Sequence, residues 1–238
     1  MSTPVTFRND FTVDEISTSG GDDSVLSAML ISTDKDGTVT SLSEDSKRGK
    51  INFLMKNRHG TPFEHNQMVF RVEAPIFVFR EWHRHRIGVS INEQSGRYVE
   101  LPPMFYVPPS YRPLVQTGKP GAYEYVTGSD DDHKWLTDDI MEQAESQYAS
   151  YQERLNRGIA KEVARISLGV NIYSSMYWTC NARSLMSFLS LRTNEPAAMF
   201  PSKPMWEIEA CARGAEEVFK KAFPITYATY VDNGRVAP

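Results

Sequence analysis

The stretch from residue 84 to residue 98 is unlike the rest of the chain and reads Arg84-His-Arg-Ile-Gly-Val-Ser-Ile-Asn-Glu-Gln-Ser-Gly-Arg-Tyr98. The chain from residue 80 to residue 97 carries four arginines and two histidines but only two acids. An arginine guanidinium presents a planar fork that matches pairs of phosphate oxygens. The interleaved Ser, Asn and Gly residues add donors to a loop that can wrap an anion. The stretch therefore predicts a phosphate or nucleotide site, with a solvated, salt-bridged surface loop as the alternative.

The histidines of this stretch also raise the question of a metal. His83 and His85 lie two residues apart, and His59 or His65 would complete a ligand set. The flanking arginines add repulsion to any divalent cation held there. We therefore expect no metal site.

Composition and charge exclude several classes of protein. The chain has 238 residues, a net charge of -4 and two cysteines. Two cysteines are too few for a disulfide scaffold, and a mildly acidic chain is not a general binder of nucleic acid or anionic membranes. The start lacks a signal sequence, and the longest apolar run, Ala74–Phe79, is far shorter than a membrane span. We expect a soluble, cytoplasmic protein without nucleic-acid or membrane partners.

Periodicity and turn residues predict the secondary structure. Gln67–Ala74 alternates as a strand with one buried face, and Gly60 is expected to end the helix before it. Residues 101–113 are expected to be extended, and residues 118–133, with their aspartate run, an exposed loop. The expected helices cover residues 24–31, 43–57, 75–83, 135–156, 161–167, 181–191 and 205–222. This pattern predicts an α+β fold in a single domain, 1–238, with residues 1–40 loosely attached.

Three further arginines lie in more apolar surroundings, namely Arg165, Arg183 and Arg192. An arginine at the end of an apolar helix face is seldom buried without an anionic partner. One such residue alone is typical of a helix-end surface position, but the three together favour a bound anion.

The stretch from Arg84 to Tyr98 resembles the signature of flavin-dependent thymidylate synthases. That signature is Arg-His-Arg, a short spacer, and Ser-x-Asn-Glu-x-Ser-x-Arg-Tyr. The resemblance continues in order through flanking segments, which are Thr61–His65, Ala74–Val78, Val163–Ile166, Trp178–Met186 and Phe188–Arg192. The matching segments lie within about residues 51–222.

The resemblance implies an α+β fold with helices on a small, mostly antiparallel sheet. It also implies a homotetramer whose active sites are shared between subunits. The implied reaction makes dTMP from dUMP, with a methylene from 5,10-methylenetetrahydrofolate and a hydride from FADH2. NADPH regenerates the reduced FAD, and no metal is part of this expectation.

The resemblance also assigns roles to residues. Positions that match FAD contacts are Thr61, Arg84, His85, Arg86, Glu93, Asn181, Ala182, Arg183 and, more weakly, Ser187. Positions that match dUMP contacts are Glu81, Trp82, His83, Arg84, Glu93, Gln94, Ser95, Gly96, Arg97, Arg165 and Arg192. His59 matches a position near flavin and folate, and Arg192 matches the residue that polarises the uracil ring, so these two are the expected catalytic residues.

These assignments are chemically consistent. The C5 atom of uracil is a weak nucleophile, and an arginine against the N3/O2 edge would stabilise anionic character and raise electron density at C5. Cys211 fits an apolar helix face and Cys180 precedes the expected Asn181 cap, so neither is typical of an activated thiolate. We therefore expect catalysis without a cysteine nucleophile. Arg97 and Arg165 are expected to neutralise the 5′-phosphate, and Arg84 and Arg86 the flavin pyrophosphate.

The chain departs from the family pattern at three places. Ile87-Gly88-Val89 places three residues before Ser90 where the family usually has two, so a bulge or wider loop must absorb the extra one. Glu81 replaces a usual Gln, and a carboxylate near a phosphate is repulsive unless it is protonated or turned onto an arginine. Ser187 stands where Asn is frequent.

Three alternatives from other classes stay open. The first is a non-catalytic, nucleotide-binding or tetramer-forming relative. The second is a nucleic-acid-binding module that uses the Arg/His loop, although the acidic net charge argues against it. The third is a flavoenzyme that methylates a different pyrimidine nucleotide.

Overall fold

The computed structural model describes residues 4–120 and 122–238 and has an α+β fold. Its α-helices within those residues are α1 (Asp22–Leu30), α2 (Glu44–Lys56), α3 (Ile76–Trp82), α4 (Asp130–Asn156), α5 (Lys161–Ala164), α6 (Ala182–Arg192), α7 (Trp206–Ala222) and α8 (Pro224–Asp232). Its strands are β1 (Thr6–Arg8), β2 (Thr12–Ser19), β3 (Gln67–Pro75), β4 (Val89–Glu93), β5 (Met104–Tyr106), β6 (Val115–Lys119), β7 (Ala122–Val126) and β8 (Tyr173–Cys180). A four-stranded sheet has the order β2-β3-β8-β4. The two smaller sheets pair β1 with β5 in parallel and β6 with β7 antiparallel.

The chain divides into two compact units. The first unit takes the chain up to Phe11 together with Glu73–Arg80 and Glu93–Ser175. Its core holds Phe105, Tyr148 and Tyr151, and both tyrosine hydroxyls bond to the backbone of Leu101. The apolar face expected on the helix at residues 135–156 is therefore confirmed.

The second unit comprises Thr12–Val72, Glu81–Asn92 and Met176–Pro238. An aromatic cluster of Trp82, Trp178 and Phe188 forms part of its core, and all three side chains are fully buried. Their ring centroids lie 4.8–5.0 Å apart. The prediction of one domain over 1–238 concerns the whole chain, including the undescribed Met1–Thr3 and Gly121, and stays a prediction.

Most predicted elements are present within one to three residues of their expected ends. The alternation predicted for residues 67–74 is confirmed, because Met68, Phe70, Val72 and Ala74 on β3 are fully buried. The cap predicted at Asn181 is also confirmed, since its side-chain oxygen accepts from the Ser184 N–H at 2.9 Å. The predictions missed β4 and β8, and they also missed α8.

The loop predicted over residues 118–133 is wrong. The hairpin of β6 and β7 occupies its first part, and α4 begins at Asp130. Ser129 and Asp132 form a capping box. Carboxylates in a first turn are favoured by the free N–H groups and the positive end of the helix dipole. The aspartate run is therefore a helix start.

The loose attachment expected for residues 1–40 is wrong for the described part of that segment. Strand β2 pairs with β3, and Val25 and Leu26 on α1 are fully buried. The buried carboxylate of Asp22 accepts hydrogen bonds from the first turn of α8, including the Thr226 N–H and hydroxyl at 2.8 and 2.6 Å. Apolar burial and a paired carboxylate hold the part from residue 12 onward in the second unit, and β1 pairs with β5 in the first unit.

Candidate active site

A cavity of about 860 Å³ lies in the second unit. Small-molecule sites typically have volumes of about 300–1,000 Å³. Four arginines and one glutamate contribute to its wall, so the wall favours an anionic ligand. The lining residues are Arg58, Glu64, Arg84, His85, Arg86, Ile87, Gly88, Val89, Asn181, Arg183, Ser184, Ser187, Ala237 and Pro238.

The turn after α3 forms one wall of the cavity. Gly88 has a φ of 66°, a left-handed conformation that favours glycine. A Cβ at this position would also collide with the Ser184 hydroxyl on α6. That hydroxyl donates to the Ile87 carbonyl at 2.8 Å and ties the turn to the helix. The extra spacer residue is thus absorbed in a tight glycine turn.

The start of α6 forms a second wall. Asn181 caps the helix, and the Ala182 N–H donates to the Asn66 side chain at 2.8 Å. Ala182 is fully buried and does not line the cavity, so its expected contact with the cofactor stays a prediction. Asn181 and Ser187 line the cavity, as expected for cofactor contacts.

Arg183 is fixed by contacts on three sides. Its Nη1 lies 2.5 Å from Glu64 Oε1, and its Nε donates to the backbone oxygen of Pro238 at 2.7 Å. The backbone of Gly60 lies directly against the guanidinium, because a Cβ built on Gly60 would collide with it. The glycine at residue 60 therefore makes room for Arg183; the prediction that it ends α2 is wrong.

Arg58 ends α2 instead. Its φ is 58°, and the N–H groups of Arg58 and His59 donate to the carbonyls of Met55 and Leu54. This bonding pattern is a Schellman motif, in which the left-handed position is usually glycine. The left-handed conformation costs a non-glycine residue about 1–2 kcal/mol, and strain of this kind is concentrated at functional sites. The strained residue Arg58 thus lines the cavity.

We expect Arg58→Gly to raise stability and to weaken ligand binding. Relief of the left-handed strain, less the added freedom of glycine in the unfolded chain, should increase the free energy of unfolding by about 0.5–1 kcal/mol. Loss of one cavity guanidinium should weaken binding of FAD about fivefold to tenfold. Urea unfolding and fluorescence titration measure the two effects. A variant that is destabilised or that binds FAD as tightly as the parent would contradict this account of Arg58.

Arg192, at the end of α6, is held by Glu81 and His85. Its Nη1 lies 2.7 Å from Glu81 Oε2, its Nη2 donates to the Glu81 carbonyl at 3.1 Å, and its Nε donates to His85 Nε2 at 3.0 Å. These contacts use three of the five N–H donors of a guanidinium and fix its plane. The Arg192 side chain is only 16% exposed. Glu81, expected to contact dUMP, is thus turned onto an arginine.

The aromatic cluster packs beside this group. The His85 ring meets Phe188 edge to face, with centroids 4.9 Å apart. Trp82 is fully buried, and its expected contact with dUMP stays a prediction. Rigid aromatic packing therefore fixes the elements that carry Glu81, His85 and Arg192.

His85 is a neutral acceptor in this arrangement. Burial lowers its pKa to about 4, and the charge of Arg192 lowers it in the same direction, whereas Glu81 opposes the change. The hydrogen bond from Arg192 requires an unprotonated Nε2, which places any ring proton on Nδ1. His85 thus orients Arg192 without adding a positive charge.

The lowered pKa of His85 predicts a pH-dependent stability. Between about pH 6.5 and about pH 4 the unfolded chain binds a proton at this residue that the folded chain does not. The free energy of unfolding should therefore fall as the pH falls through this window. In His85→Gln this part of the dependence should be absent. Urea unfolding at pH 7, 6, 5 and 4.5 tests this, and equal slopes in both proteins would contradict the neutral state of His85.

The remaining predicted substrate residues lie in the first unit. Glu93 accepts from the Ser174 hydroxyl at 2.8 Å, and the Gln94 N–H donates to the Ser175 carbonyl at 2.8 Å. A Cβ on Gly96 would lie 3.1 Å from Arg165 Cδ, so Arg165 packs along the Ser95–Arg97 turn. Arg97 makes an exposed ion pair with Glu162 at 2.7 Å. This unit brings Glu93, Gln94, Ser95, Gly96, Arg97 and Arg165 into one neighbourhood.

His59, Thr61 and His83 also lie outside the cavity wall. His59 is exposed, with its ring centroid 5.7 Å from that of Phe53. Thr61 is exposed at the start of a 3-10 turn, and His83 is half-buried, with its carbonyl 3.5 Å from Arg86 Nε. Their expected roles stay predictions.

Several wall residues are not among the residues predicted for the site. Arg58 and Glu64 flank the predicted His59 and Thr61 in sequence. Ala237 and Pro238 have no polar side chain, and only the fold brings them to Arg183. The described residues hold no cluster of three or more His, Cys, Asp or Glu suited to a metal, and none of their helices has the length and apolar character needed to span a membrane.

Comparison with known proteins identifies the family to which the chain belongs. The family model for the thymidylate synthase complementing protein matches residues 16–225. The flavin-dependent thymidylate synthase of Streptomyces avermitilis is 51% identical over 235 residues, covering 98% of this chain and 95% of that protein. The protein of the same name from Streptomyces coelicolor is 48% identical over 236 residues, covering 98% and 96%.

Solved structures agree with this result. The UMP/dUMP methylase PolB from Streptomyces cacaoi, bound with 5-Br UMP, matches with a TM-score of 0.91 at 44% identity, covering 98% of this chain and 99% of that one. Its complex with 5-Br dUMP matches with a TM-score of 0.92, covering 98% and 100%. The resemblance inferred from the Arg84–Tyr98 signature is confirmed: this chain belongs to the family of flavin-dependent thymidylate synthases.

Proposed function

We propose that this protein converts dUMP to dTMP. The methylene group comes from 5,10-methylenetetrahydrofolate, and NADPH is the source of the reducing equivalents. The overall balance is dUMP, methylenetetrahydrofolate, NADPH and a proton giving dTMP, tetrahydrofolate and NADP⁺. Two features of the structure together carry the proposal. One is the cavity lined by four arginines, and the other is Arg192, which lies outside the cavity wall and is held in a fixed orientation at the end of α6.

The cavity residues fit a flavin dinucleotide. Arg58, Arg84, Arg86 and Arg183 offer charged donors for a pyrophosphate, and Gly88 lets the turn pack closely against Ser184 and Asn181 in the cavity wall. When bound there, reduced FAD would supply the hydride. In this proposal Arg84, Arg86 and Arg183 bind and orient the cofactor, and Asn181 and Ser187 add polar contacts; Thr61 and Glu93 stay proposed contacts.

We propose Arg192 as the residue that activates uracil. A guanidinium fixed in plane by Glu81 and His85 is preorganised to stabilise negative charge on the N3/O2 edge, which raises electron density at C5. Glu81 and His85 therefore act on dUMP through Arg192. Arg97 and Arg165 are proposed to bind the 5′-phosphate, and His59 to act near the flavin and folate.

The cysteines support a route without a thiol nucleophile. Cys180 and Cys211 are buried, and burial raises the pKa of both thiols well above their usual range. A protonated thiol is a poor nucleophile. We expect Cys180→Ala and Cys211→Ala to keep wild-type turnover, at a cost of about 1 kcal/mol of stability each. A single variant that is folded but inactive would contradict the proposal.

The flavin spectrum tests the proposed function most simply. The purified protein, supplied with FAD and desalted, is expected to be yellow and to oxidise NADPH, with a rate that changes when dUMP is added. A colourless protein that takes up no FAD would favour the non-catalytic alternative. Light scattering on the same sample tests the proposed homotetramer.

A second candidate function is methylation of UMP. The similarity to the UMP/dUMP methylase PolB at 44% identity favours testing it. The two candidates differ only in the 2′ hydroxyl of the nucleotide. Product analysis with dUMP and UMP in separate and mixed reactions distinguishes them: thymidylate alone supports the first candidate, and 5-methyl-UMP supports the second.

A further inference from the structure

We infer that residues 235–238 are a positioning element for Arg183 and thereby set the affinity of the flavin cavity. This inference rests on the proposed binding of FAD. It assigns a role to a segment whose own side chains carry no suitable chemistry at the cavity. The segment has a buried anchor at Arg235, a short connection, and a direct bond to Arg183.

The anchor is the buried ion pair between Arg235 and Glu216 on α7. Arg235 Nη2 lies 2.6 Å from Glu216 Oε1 and 3.0 Å from the Thr193 hydroxyl, and the guanidinium carbon lies 5.2 Å from the centre of the Tyr230 ring. The two charged side chains are 6% and 4% exposed. A buried ion pair is stable only when its geometry is satisfied, so it fixes the backbone that carries it.

The anchor is itself embedded in a larger network. Glu216 also pairs with Arg213 at 2.9 Å and accepts from the Tyr227 hydroxyl at 3.1 Å. Next to Arg235, the Gly234 carbonyl accepts from the Met199 N–H at 3.0 Å. These contacts hold residues 234 and 235 independently of the cavity.

Only two residues separate Arg235 from Pro238, which makes the bond to Arg183. Ala237 and Pro238 line the cavity, and the backbone oxygen of Pro238 accepts from Arg183 Nε at 2.7 Å. Glu64 holds the other side of the same guanidinium. A free arginine populates many rotamers, and holding it in one geometry before a ligand arrives increases affinity. Two polar contacts hold the Arg183 guanidinium in this way: one comes from Glu64 and the other from Pro238, at the end of residues 235–238.

The first test is a chain that ends at Val236. Arg235 and its anchor are kept, so the thermal midpoint should change by less than about 2 °C. FAD affinity, measured by quenching of flavin fluorescence, should fall about tenfold. Arg48→Lys is the matched control, because Arg48 makes an exposed ion pair with Asp232 and does not line the cavity. A truncated chain that binds FAD within twofold of the full chain overturns the inference.

A double-mutant cycle tests whether the segment acts through Arg183. In an Arg183→Ala background the same truncation should change FAD affinity less than twofold, because the coupled partner is already absent. Equal losses in both backgrounds would overturn the positioning role.

The variant Arg235→Lys tests the anchor, which is the buried ion pair between Arg235 and Glu216. Lysine keeps the charge but is shorter and lacks the planar guanidinium that lies over Tyr230, so it should hold Glu216 and Thr193 less well. We expect FAD affinity to fall at least threefold and the fall to disappear in the Arg183→Ala background. Undiminished affinity in a folded Arg235→Lys protein overturns the anchor. If the unmodified chain itself binds no FAD, the proposed function fails; if it binds FAD and the variants behave like it, only this inference fails.

Discussion

Replacing Arg192 with alanine is expected to abolish methylation of dUMP while FAD is still bound. Arg192 itself does not line the cavity, so the contacts of the four cavity arginines should be kept. Removing one preorganised donor that stabilises charge in a transition state typically costs about 10²–10³ in rate. Here the lost group is a full positive charge, so we expect a loss of at least about 10³ in kcat. Turnover of dUMP and titration with FAD measure the two properties on the same preparation.

Conservative variants separate the charge of Arg192 from its orientation. Arg192→Lys keeps the charge but loses the fork that Glu81 and His85 hold, so we expect only partial recovery. Glu81→Gln keeps an acceptor for Nη1 and should retain most of the activity. Arg157→Ala, which removes an exposed ion pair in the first unit, is the surface control. Wild-type turnover in Arg192→Ala would contradict the polarising role.

The second large effect is expected from adding one methyl group at Gly60. A Cβ there occupies the position of the Arg183 guanidinium, which is the far end of a flexible side chain and can move away. Stability should therefore change little, but Arg183 would leave its contacts with Glu64 and Pro238. Loss of a charged hydrogen-bonding group from a binding site corresponds to about 1.5–3 kcal/mol, so FAD affinity should fall about 10–100-fold in Gly60→Ala.

Gly49→Ala is the matched control for this substitution. Gly49 lies within α2 and a Cβ there meets nothing within 4 Å. The same glycine-to-alanine change should raise stability by about 0.5–1 kcal/mol and leave FAD affinity unchanged. Equal FAD affinity in Gly60→Ala and Gly49→Ala, or a large loss of stability in Gly60→Ala, would contradict the assigned contact.

Local patterns predicted much of the fold because their causes are local. The alternation on β3, the Asn181 cap and the apolar face of α4 follow from side-chain period and from the first free N–H groups of a helix. The start of α4 was missed because three aspartates resemble a solvated turn unless their place at a helix dipole is known. Strand β8 was missed because its neighbours in the sheet are distant in sequence.

In the site, too, features with local causes were predicted, whereas contacts between residues distant in sequence were not. The Arg84–Tyr98 motif predicted that the arginines of the turn after α3 bind a ligand. The apolar sequence around Arg183 and Arg192 predicted the same for these two residues. The partners that hold them, Glu64, Gly60 and Pro238 for Arg183, are up to 123 residues away in sequence and are joined to it only by the fold. Residues that position a charge leave a weaker sequence signal than the charge itself.

The central claim is that a bound flavin and fixed arginines carry the reductive methylation of dUMP. The most direct test measures how much dTMP forms for each NADPH oxidised when the FAD-loaded protein reacts with dUMP, methylenetetrahydrofolate and limiting NADPH. We expect one dTMP for each NADPH oxidised, with no dTMP when FAD is omitted from protein stripped of flavin. Formation of dTMP by the flavin-free protein, or oxidation of NADPH without any dTMP, would contradict the account.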